Sequence, residues 1–287
     1  MSQVSELPDA KRPMAERRIV VLCDNESAHP ACGCEWGLSL AIDLGGTDGL
    51  WLWDTGQTNL YLQNAGRLGV DVGAARGLAL SHGHYDHTGG VSALLESTGF
   101  AGAVHAHPAC ASARWAEEPD GKPRRRIGPP KPLPEFAPAG QATVLTPGLT
   151  MLADIPRAPG RFQSVRGFSL DREGREPDPV PDDAFLVLET AKGPVVILGC
   201  CHSGLYNSLS CASARLGLDS FHAVLGGLHL YDADANAVKE TAAAIAAFGI
   251  RQLVAGHCTG PDRVRALHAL LPSCDVRAMA AGQAWIY

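Results

Sequence analysis

Short apolar runs alternate with polar breaks along the chain, and the length of the runs changes as it proceeds. The run Ile19 to Cys23 in RRIVVLCDN, and then GLSLAIDL and GLWLWDTG, read as three strands, so the first third is expected to be mostly sheet. GLALS, ending at Ser81, reads as a fourth. After a loop rich in His and Gly, VSALLESTG sets Val91, Leu94 and Leu95 at helical spacing with Gly99 as the stop. Further on, AFLVLET and VVILG flank the turn residues Lys192-Gly193-Pro194 and predict a hairpin ending at Cys200 and Cys201. AVLGG then reads as strand, NAVKETAAAIAAFG as a helix stopped by Gly249, RQLVAGH as strand, DRVRALHALL as helix and AWIY as a last strand. Strands and helices mixed through both halves predict an α/β chain in which two sheets pack face to face with helices outside.

Residues 1–17 form a polar leader, and 18–287 read as one domain. Within that domain the composition shifts between Trp115 and Pro147 to Pro, Gly and Arg, as in PDGKPRRRIGPPKPLPEF. Such a segment predicts an insertion without regular structure, either a flap over a site or a mobile excursion. Hydrophobic residues make up 46% of the 287 and charged ones 19%, which argues against a disordered chain. No apolar run approaches the roughly 20 residues of a membrane helix, so no membrane partner is expected. Lys and Arg number 24 against 30 Asp and Glu, a net charge of -6 that lacks the basic footprint of nucleic-acid binders and favours a small-molecule partner. Nine cysteines, an odd number with no secretory signal in MSQVSELPDAKRPMAERR, place the expectation on reduced thiols in the cytoplasm.

The chemistry concentrates in Ser81-His82-Gly83-His84-Tyr85-Asp86-His87-Thr88-Gly89-Gly90. In an extended segment His82, His84 and Asp86 point the same way, and a turn at Asp86 swings His87 round to join them. Gly83, Gly89 and Gly90 supply the backbone freedom for those turns. Imidazole and carboxylate suit zinc, manganese or non-haem iron, and crowding them without a cation leaves polar groups competing for partners.

This HxHxDH pattern after an apolar strand resembles the signature of the metallo-β-lactamase superfamily, whose fold is an αββα sandwich. The likeness extends to Asp54 in WLWDTGQTN, His202 in VVILGCCHSG and His257 in LVAGHCTG. Within the superfamily, the segments DTGQTN, SHGHYDHTGG, IPR, GCCHSG, GGLHL and HCTG are similar to those of the branch named for dihydropterin-methyl-ribofuranosylaminobenzene-phosphate synthase. The resemblance implies that His82, His84 and His202 bind one metal ion and that Asp86, His87 and His257 bind a second. Zn2+ is the first expectation, as one or two ions, with Mn2+ or Fe2+ as alternatives. One departure stands out. Most members carry a separate histidine before the late strand and a bridging aspartate just after it, whereas this chain has no histidine between His107 and His202 and has Cys200-Cys201 at the strand end. Either a cysteine takes the bridging place or the site is not a symmetrical two-metal site.

A cation with an open coordination position brings the pKa of bound water from 15.7 toward about 7 and polarises a carbonyl or phosphoryl oxygen, so hydrolysis, or a related transfer, of a small anionic substrate is the expected reaction. Asp86 would orient the attacking water, Asp54 would fix a ligand tautomer, His229 in GGLHL would line the pocket or donate to a reacting oxygen, and Arg157 in the IPR segment would meet the substrate anion. Three alternatives stand beside this one: a pterin-type synthase releasing diphosphate, an iron oxidoreductase of the thiol-dioxygenase kind, and a non-catalytic metal or redox sensor. The remaining candidates have plainer readings. His105 and His107 read as strand-end residues, Arg124 to Arg126 as a solvated charge run, Cys258 as a small buried hydrophobe, and Asp24, Asn25 and Glu35 as turn or capping residues.

Overall fold

In the computed structural model, which describes residues 16–287, the chain builds two seven-stranded sheets and one small three-stranded sheet. The first large sheet runs, edge to edge, through Ala284–Ile286, Arg18–Cys23, Ser39–Asp43, Leu50–Trp53, Gly77–Ala79, Ala103–Ala106 and Ala137–Pro138. The second runs through Asp275–Ala278, Gln252–Ala255, Ala223–Gly226, Val195–Leu198, Phe185–Leu188, Leu149–Leu152 and Thr143–Thr146.

The central strands of both large sheets are apolar on both faces because both faces are covered. Ile19, Val21, Leu40, Ile42, Trp51 and Trp53 point inward and meet Leu149, Met151, Leu186, Leu188, Val195 and Ile197 of the other sheet. Val20, Leu22 and Leu52 point the other way, onto Tyr61 and Ala65 of the helix Leu60–Arg67 and Val91 and Leu94 of the helix Val91–Ser97. The far face of the second sheet packs on the helices Leu205–Leu216, Ala235–Ala247 and Pro261–Leu270. Helix, sheet, sheet and helix thus follow one another as four layers, the αββα arrangement read from the sequence. Among the described residues no helix is long and apolar enough to cross a membrane.

Strand direction places the site. Val195–Leu198, Ala223–Gly226, Gln252–Ala255 and Asp275–Ala278 are parallel, as are Leu50–Trp53, Gly77–Ala79 and Ala103–Ala106, so the loops leaving them gather at one edge of each sheet. Near that edge the Trp53 indole N–H donates across the interface to the Leu198 carbonyl at 3.0 Å, aligning the two sheets.

Some elements depart from the sequence expectation. The helices Leu60–Arg67 and Leu205–Leu216 and the strand Asp275–Ala278 are additions to the expected elements; the two helices are amphipathic but rich in Ser, Asn and Ala, so packing of their apolar face holds them. The Pro- and Arg-rich segment holds more regular structure than its composition predicts. Trp115–Ala116 pairs with both Arg125–Arg126 and Phe168–Ser169, and Ala137–Pro138 and Thr143–Thr146 extend the two large sheets. Two of these pairings, Trp115 with Ser169 and Ala137 with His105, join distant parts of the chain, where local composition carries no trace of them. Of the polar leader, residues 1–15 lie outside the described residues.

Candidate metal centre

His82 and His84 leave the strand Gly77–Ala79 on an extended loop, but alternation ends there. Tyr85–Thr88 is a single helical turn that begins at His84, and the turn itself brings Asp86 and His87 inward. The loop glycines serve space, not positive φ. A Cβ on Gly83 would lie 2.1 Å from the Cys110 carbonyl oxygen and one on Gly89 2.1 Å from the Gln57 carbonyl oxygen, so any side chain would push the loop off its bed. Four non-glycine residues at the site, Asp54 (φ 58°), Cys201 (φ 56°), His229 (φ 46°) and His257 (φ 48°), occupy the left-handed region just past strand ends, where the tight exit aims each side chain.

Two donor clusters result. In the first, His82, His84 and His202 bring one ring nitrogen each within 4.8 Å of the others. His202 Nδ1 lies 2.7 Å from the Ser164 carbonyl oxygen, so it carries the proton and Nε2 presents a bare lone pair. Ser81 Oγ donates to Asp54 Oδ2 at 2.7 Å and accepts from His82 Nδ1 at 2.8 Å, which leaves His82 Nε2 bare as well. Those two Nε2 atoms face each other at 3.2 Å, and His84 Nδ1 is 2.9 Å from the same His82 atom. The buried His84 Nε2 has no partner. Facing lone pairs repel unless a proton or a cation lies between them. Burial pushes His82, His84 and His202 well below the usual histidine range, so a proton is disfavoured and a cation fits.

In the second cluster Asp86, His87 and His257 converge, with Cys200 and Cys258 beside them. The His87 Nδ1–H donates to Asp54 Oδ2 at 2.6 Å, and the His257 Nδ1–H donates to Asn25 Oδ1 at 3.0 Å. Their bare Nε2 atoms sit 3.2 Å apart, with Asp86 Oδ2 at 3.8 Å and 3.4 Å respectively and Cys200 Sγ 3.1 Å from His87 Nε2. Burial opposes protonation here too, but Asp54 and Asp86 outweigh it at His87, and Cys258 and Asp86 do so at His257, so both imidazoles are held above their ordinary range. Burial works against ionised Asp86 as well, yet His87 and His257 pull that carboxyl below its usual range.

The six histidine and aspartate positions expected as ligands therefore come together, and Asp54 lies where it pins one of them. The cysteines separate. Cys200 faces the centre, whereas Cys201 turns to Ser208 Oγ at 3.6 Å in the helical layer. His229 reaches the rim, with Nδ1 2.6 Å from Ser164 Oγ and its ring 4.6 Å from that of His202. Arg157 does not face the site. Its guanidinium donates to the Pro179 carbonyl, to the Val180 carbonyl at 2.8 Å and to Ser203 Oγ at 3.2 Å, so it braces the loop carrying Asp182 and Asp183. His105 packs against Trp51 and His107 pairs with Asp154 at 3.1 Å, both away from the centre.

Several residues of the site escaped the sequence reading. Cys258, read as a plain buried hydrophobe, offers its sulfur to the second cluster. Asp24 and Asn25, read as turn residues, hold His257: Asp24 Oδ2 accepts its backbone N–H at 3.0 Å, and Asn25 orients its ring. Asp182 accepts the Gly83 N–H at 2.7 Å and an Arg114 N–H at 2.6 Å, so a fully buried ion pair tethers the loop of His82 and His84. The partners in these contacts lie between 68 and 233 residues apart, and no local motif announces them.

A cleft of about 150 Å³ opens over the centre, walled by His84, Tyr85, Asp86, Cys200, His229 and Cys258 and roofed by Trp36, Ala116, Arg125, Ile127 and Phe168. The small three-stranded sheet of the Pro- and Arg-rich region supplies most of that roof.

Comparison with known proteins fits this geometry. The chain is 28% identical over 214 residues to the 7,8-dihydropterin-6-methyl-4-(beta-D-ribofuranosyl)-aminobenzene-5'-phosphate synthase of Methanocaldococcus jannaschii, covering 70% of each chain. It is 29% identical over 218 residues to an uncharacterised protein of the same organism, covering 74% of this chain and 79% of that one. A solved structure described as a metal-dependent hydrolase of the beta-lactamase superfamily matches with a TM-score of 0.77 and 26% identity, over 94% of this chain and 98% of the other. Zn2+-bound PqqB from Methylobacterium extorquens shares the fold alone, at 12% identity and a TM-score of 0.53, over 93% and 99% of the chains. The family model of the metallo-beta-lactamase superfamily matches residues 36–206, more than half the chain and including the whole HxHxDH loop. The chain belongs to the metallo-beta-lactamase superfamily.

Proposed function

We propose that this protein is a metal-dependent hydrolase, or a closely related transferase, acting on a phosphoryl or acyl group of a small anionic molecule. The observation that carries the reading is the set of four imidazoles, each pinned through its outer nitrogen, whose inner lone pairs face one another beneath a cleft. Donors of this kind suit Zn2+ first and Mn2+ or Fe2+ next, with His82, His84 and His202 holding one ion and Asp86, His87, His257 and Cys200 a second. When bound, the metal supplies an acidified water and a Lewis acid for the electrophile.

The chain's own groups do the rest. Asp86, on the cleft wall, orients a water by accepting its proton in a hydrogen bond. Asp54 and Ser81 keep His87 and His82 in the tautomers that leave Nε2 free. His229, pushed down to about 4 by burial, is neutral at physiological pH and exchanges a single hydrogen bond with a substrate oxygen. The Arg125 guanidinium, on the cleft roof and 2.7 Å from Glu118, takes the anion-binding role that Arg157 does not fill.

Transfer to an acceptor other than water is the second reading, favoured by the synthase name of the Methanocaldococcus jannaschii relative and by the roofed cleft, which limits access of bulk water. A panel of phosphodiesters, esters and lactones with added Zn2+ or Mn2+ tests both readings: turnover should appear and vanish on chelation. His84→Ala should lose metal uptake and turnover together, by more than roughly a hundredfold. Unchanged turnover in that variant overturns the assignment, and oxygen consumption by protein loaded with iron would favour an oxidoreductase instead.

A further inference from the structure

The rim of the cleft holds a pair of residues that the ligand set does not account for. His229 lines the cleft, whereas Ser164, whose Oγ lies 2.6 Å from His229 Nδ1, is not on its wall. The two nitrogens of an imidazole point in nearly opposite directions, so with Nδ1 turned to Ser164 the Nε2 edge faces the open space. The His229 backbone is already fixed: φ is 46°, and its N–H donates to Cys258 Sγ at 3.3 Å. Rotation of the ring is the freedom that remains, and among the described residues only the Ser164 hydroxyl holds the ring by a hydrogen bond. The rings of His202 at 4.6 Å and Phe168 at 6.2 Å flank it without bonding to it.

Ser164 is itself held from several directions. Its N–H donates to the His202 carbonyl at 2.9 Å and its carbonyl accepts the His202 Nδ1–H at 2.7 Å, so its backbone is tied to the first cluster. The segment before it is strapped to the outer helices. Asn207 Oδ1 on Leu205–Leu216 accepts the Ala158 N–H at 3.1 Å, Glu240 Oε1 on Ala235–Ala247 accepts the Phe162 N–H at 2.9 Å, and the Arg161 guanidinium lies 3.7 Å over the Tyr206 ring. Gly204, at φ 85°, makes room for this strap, since a Cβ there would collide with the Phe162 carbonyl. The Ser164 hydroxyl is therefore presented from a fixed backbone.

A hydroxyl carries one proton, and an imidazole with a single N–H carries it on either nitrogen. Were Nδ1–H to donate to Oγ, the hydroxyl proton would need another acceptor, and among the described residues none is in reach. Donation from Oγ to Nδ1 uses that proton and puts the ring proton on Nε2, at the cleft. We infer that Ser164 is a positioning residue that fixes His229 as the Nε2–H tautomer, so that the rim histidine donates to a substrate oxygen and does not act as a base. The inference rests on the reading of the cleft as the reaction site and adds the direction in which this one hydrogen bond runs.

Two-bond proton–nitrogen NMR correlation on the full chain, at neutral pH with and without Zn2+, reads the ring tautomers directly, and His229→Asn assigns the resonance. His229 should show a protonated Nε2 and a bare Nδ1. Ser164→Ala keeps both backbone bonds to His202, so it should average the two His229 nitrogens while leaving the His202 pattern unchanged and Zn2+ affinity within about twofold of wild type, and Ser164→Thr should restore the wild-type pattern. On any substrate identified among phosphodiesters, esters and lactones, Ser164→Ala should lower kcat/KM roughly tenfold and Ser164→Thr should recover most of the loss. A bare Nε2 in the wild type, an unaltered His229 pattern in Ser164→Ala, or no restoration in Ser164→Thr overturns the proposal. An inert panel counts against the proposed reaction alone, because the tautomer is read without turnover.

Discussion

The two halves of the candidate metal centre are built from different chemistry. The first cluster is three imidazoles with depressed basicity, of which a serine hydroxyl anchors His82 and a backbone carbonyl anchors His202 while the buried Nε2 of His84 has no partner. In the second, Asp86 Oδ2 lies 3.8 Å and 3.4 Å from the Nε2 atoms of His87 and His257, with two thiols alongside, so a carboxylate and sulfur join the imidazoles in the donor set. An ion has fewer competitors at the first site, and a softer environment at the second.

Three substitutions would break or sharpen that contrast, and the largest effect is expected at Arg114. This guanidinium is fully buried beside Asp178 and Asp182, and Asp182 in turn holds the Gly83 N–H on the loop of the first cluster. Arg114→Met leaves two buried carboxylates uncompensated and should cost about 3–5 kcal/mol, read as a lowered urea midpoint. A midpoint within error of wild type would show that the ion pair does not anchor the loop. Asn25→Ala should act on the second cluster alone. With the His257 ring no longer held, the second ion should bind roughly tenfold to a hundredfold more weakly while the first is unchanged, as measured by titration with metal analysis. Equal weakening of both ions would erase the distinction between the clusters. The smallest effect is expected for Cys200→Ser, which replaces a soft donor with a hard one. Preference for Zn2+ over Mn2+ should fall several-fold, and the Co2+-loaded protein should lose its thiolate charge-transfer absorption. Retention of that absorption would assign the sulfur contact to Cys258.

How far the sequence discloses this centre depends on whether a residue's partner is near it in the chain. The loop from Ser81 to Gly90 is legible because its candidate ligands fall within six positions, although the helical turn at Tyr85–Thr88, and not strand alternation, gathers them. His202 and His257 are legible only through family resemblance, as single histidines after apolar strands. The pattern of strand and helix also exposes the layered architecture, because both large sheets are covered on both faces and read as continuous apolar runs. The rest is carried by long-range contacts. Asp24 and Asn25 act through His257, Asp182 through Gly83, and Cys258 through Cys200, and in each case the local sequence is an ordinary loop. Arg157 shows the opposite error: a cation in a family-like segment that the fold uses to brace backbone carbonyls.

Each sheet brings an incomplete set of donors to the edge where the strands end. His82, His84, Asp86 and His87 follow strands of the first sheet, while Cys200, His202, His257 and Cys258 follow strands of the second, and each cluster draws on both. An ion held there works as a clasp across the seam between the halves. Stripping it should loosen the molecule along that seam before either layered half comes apart.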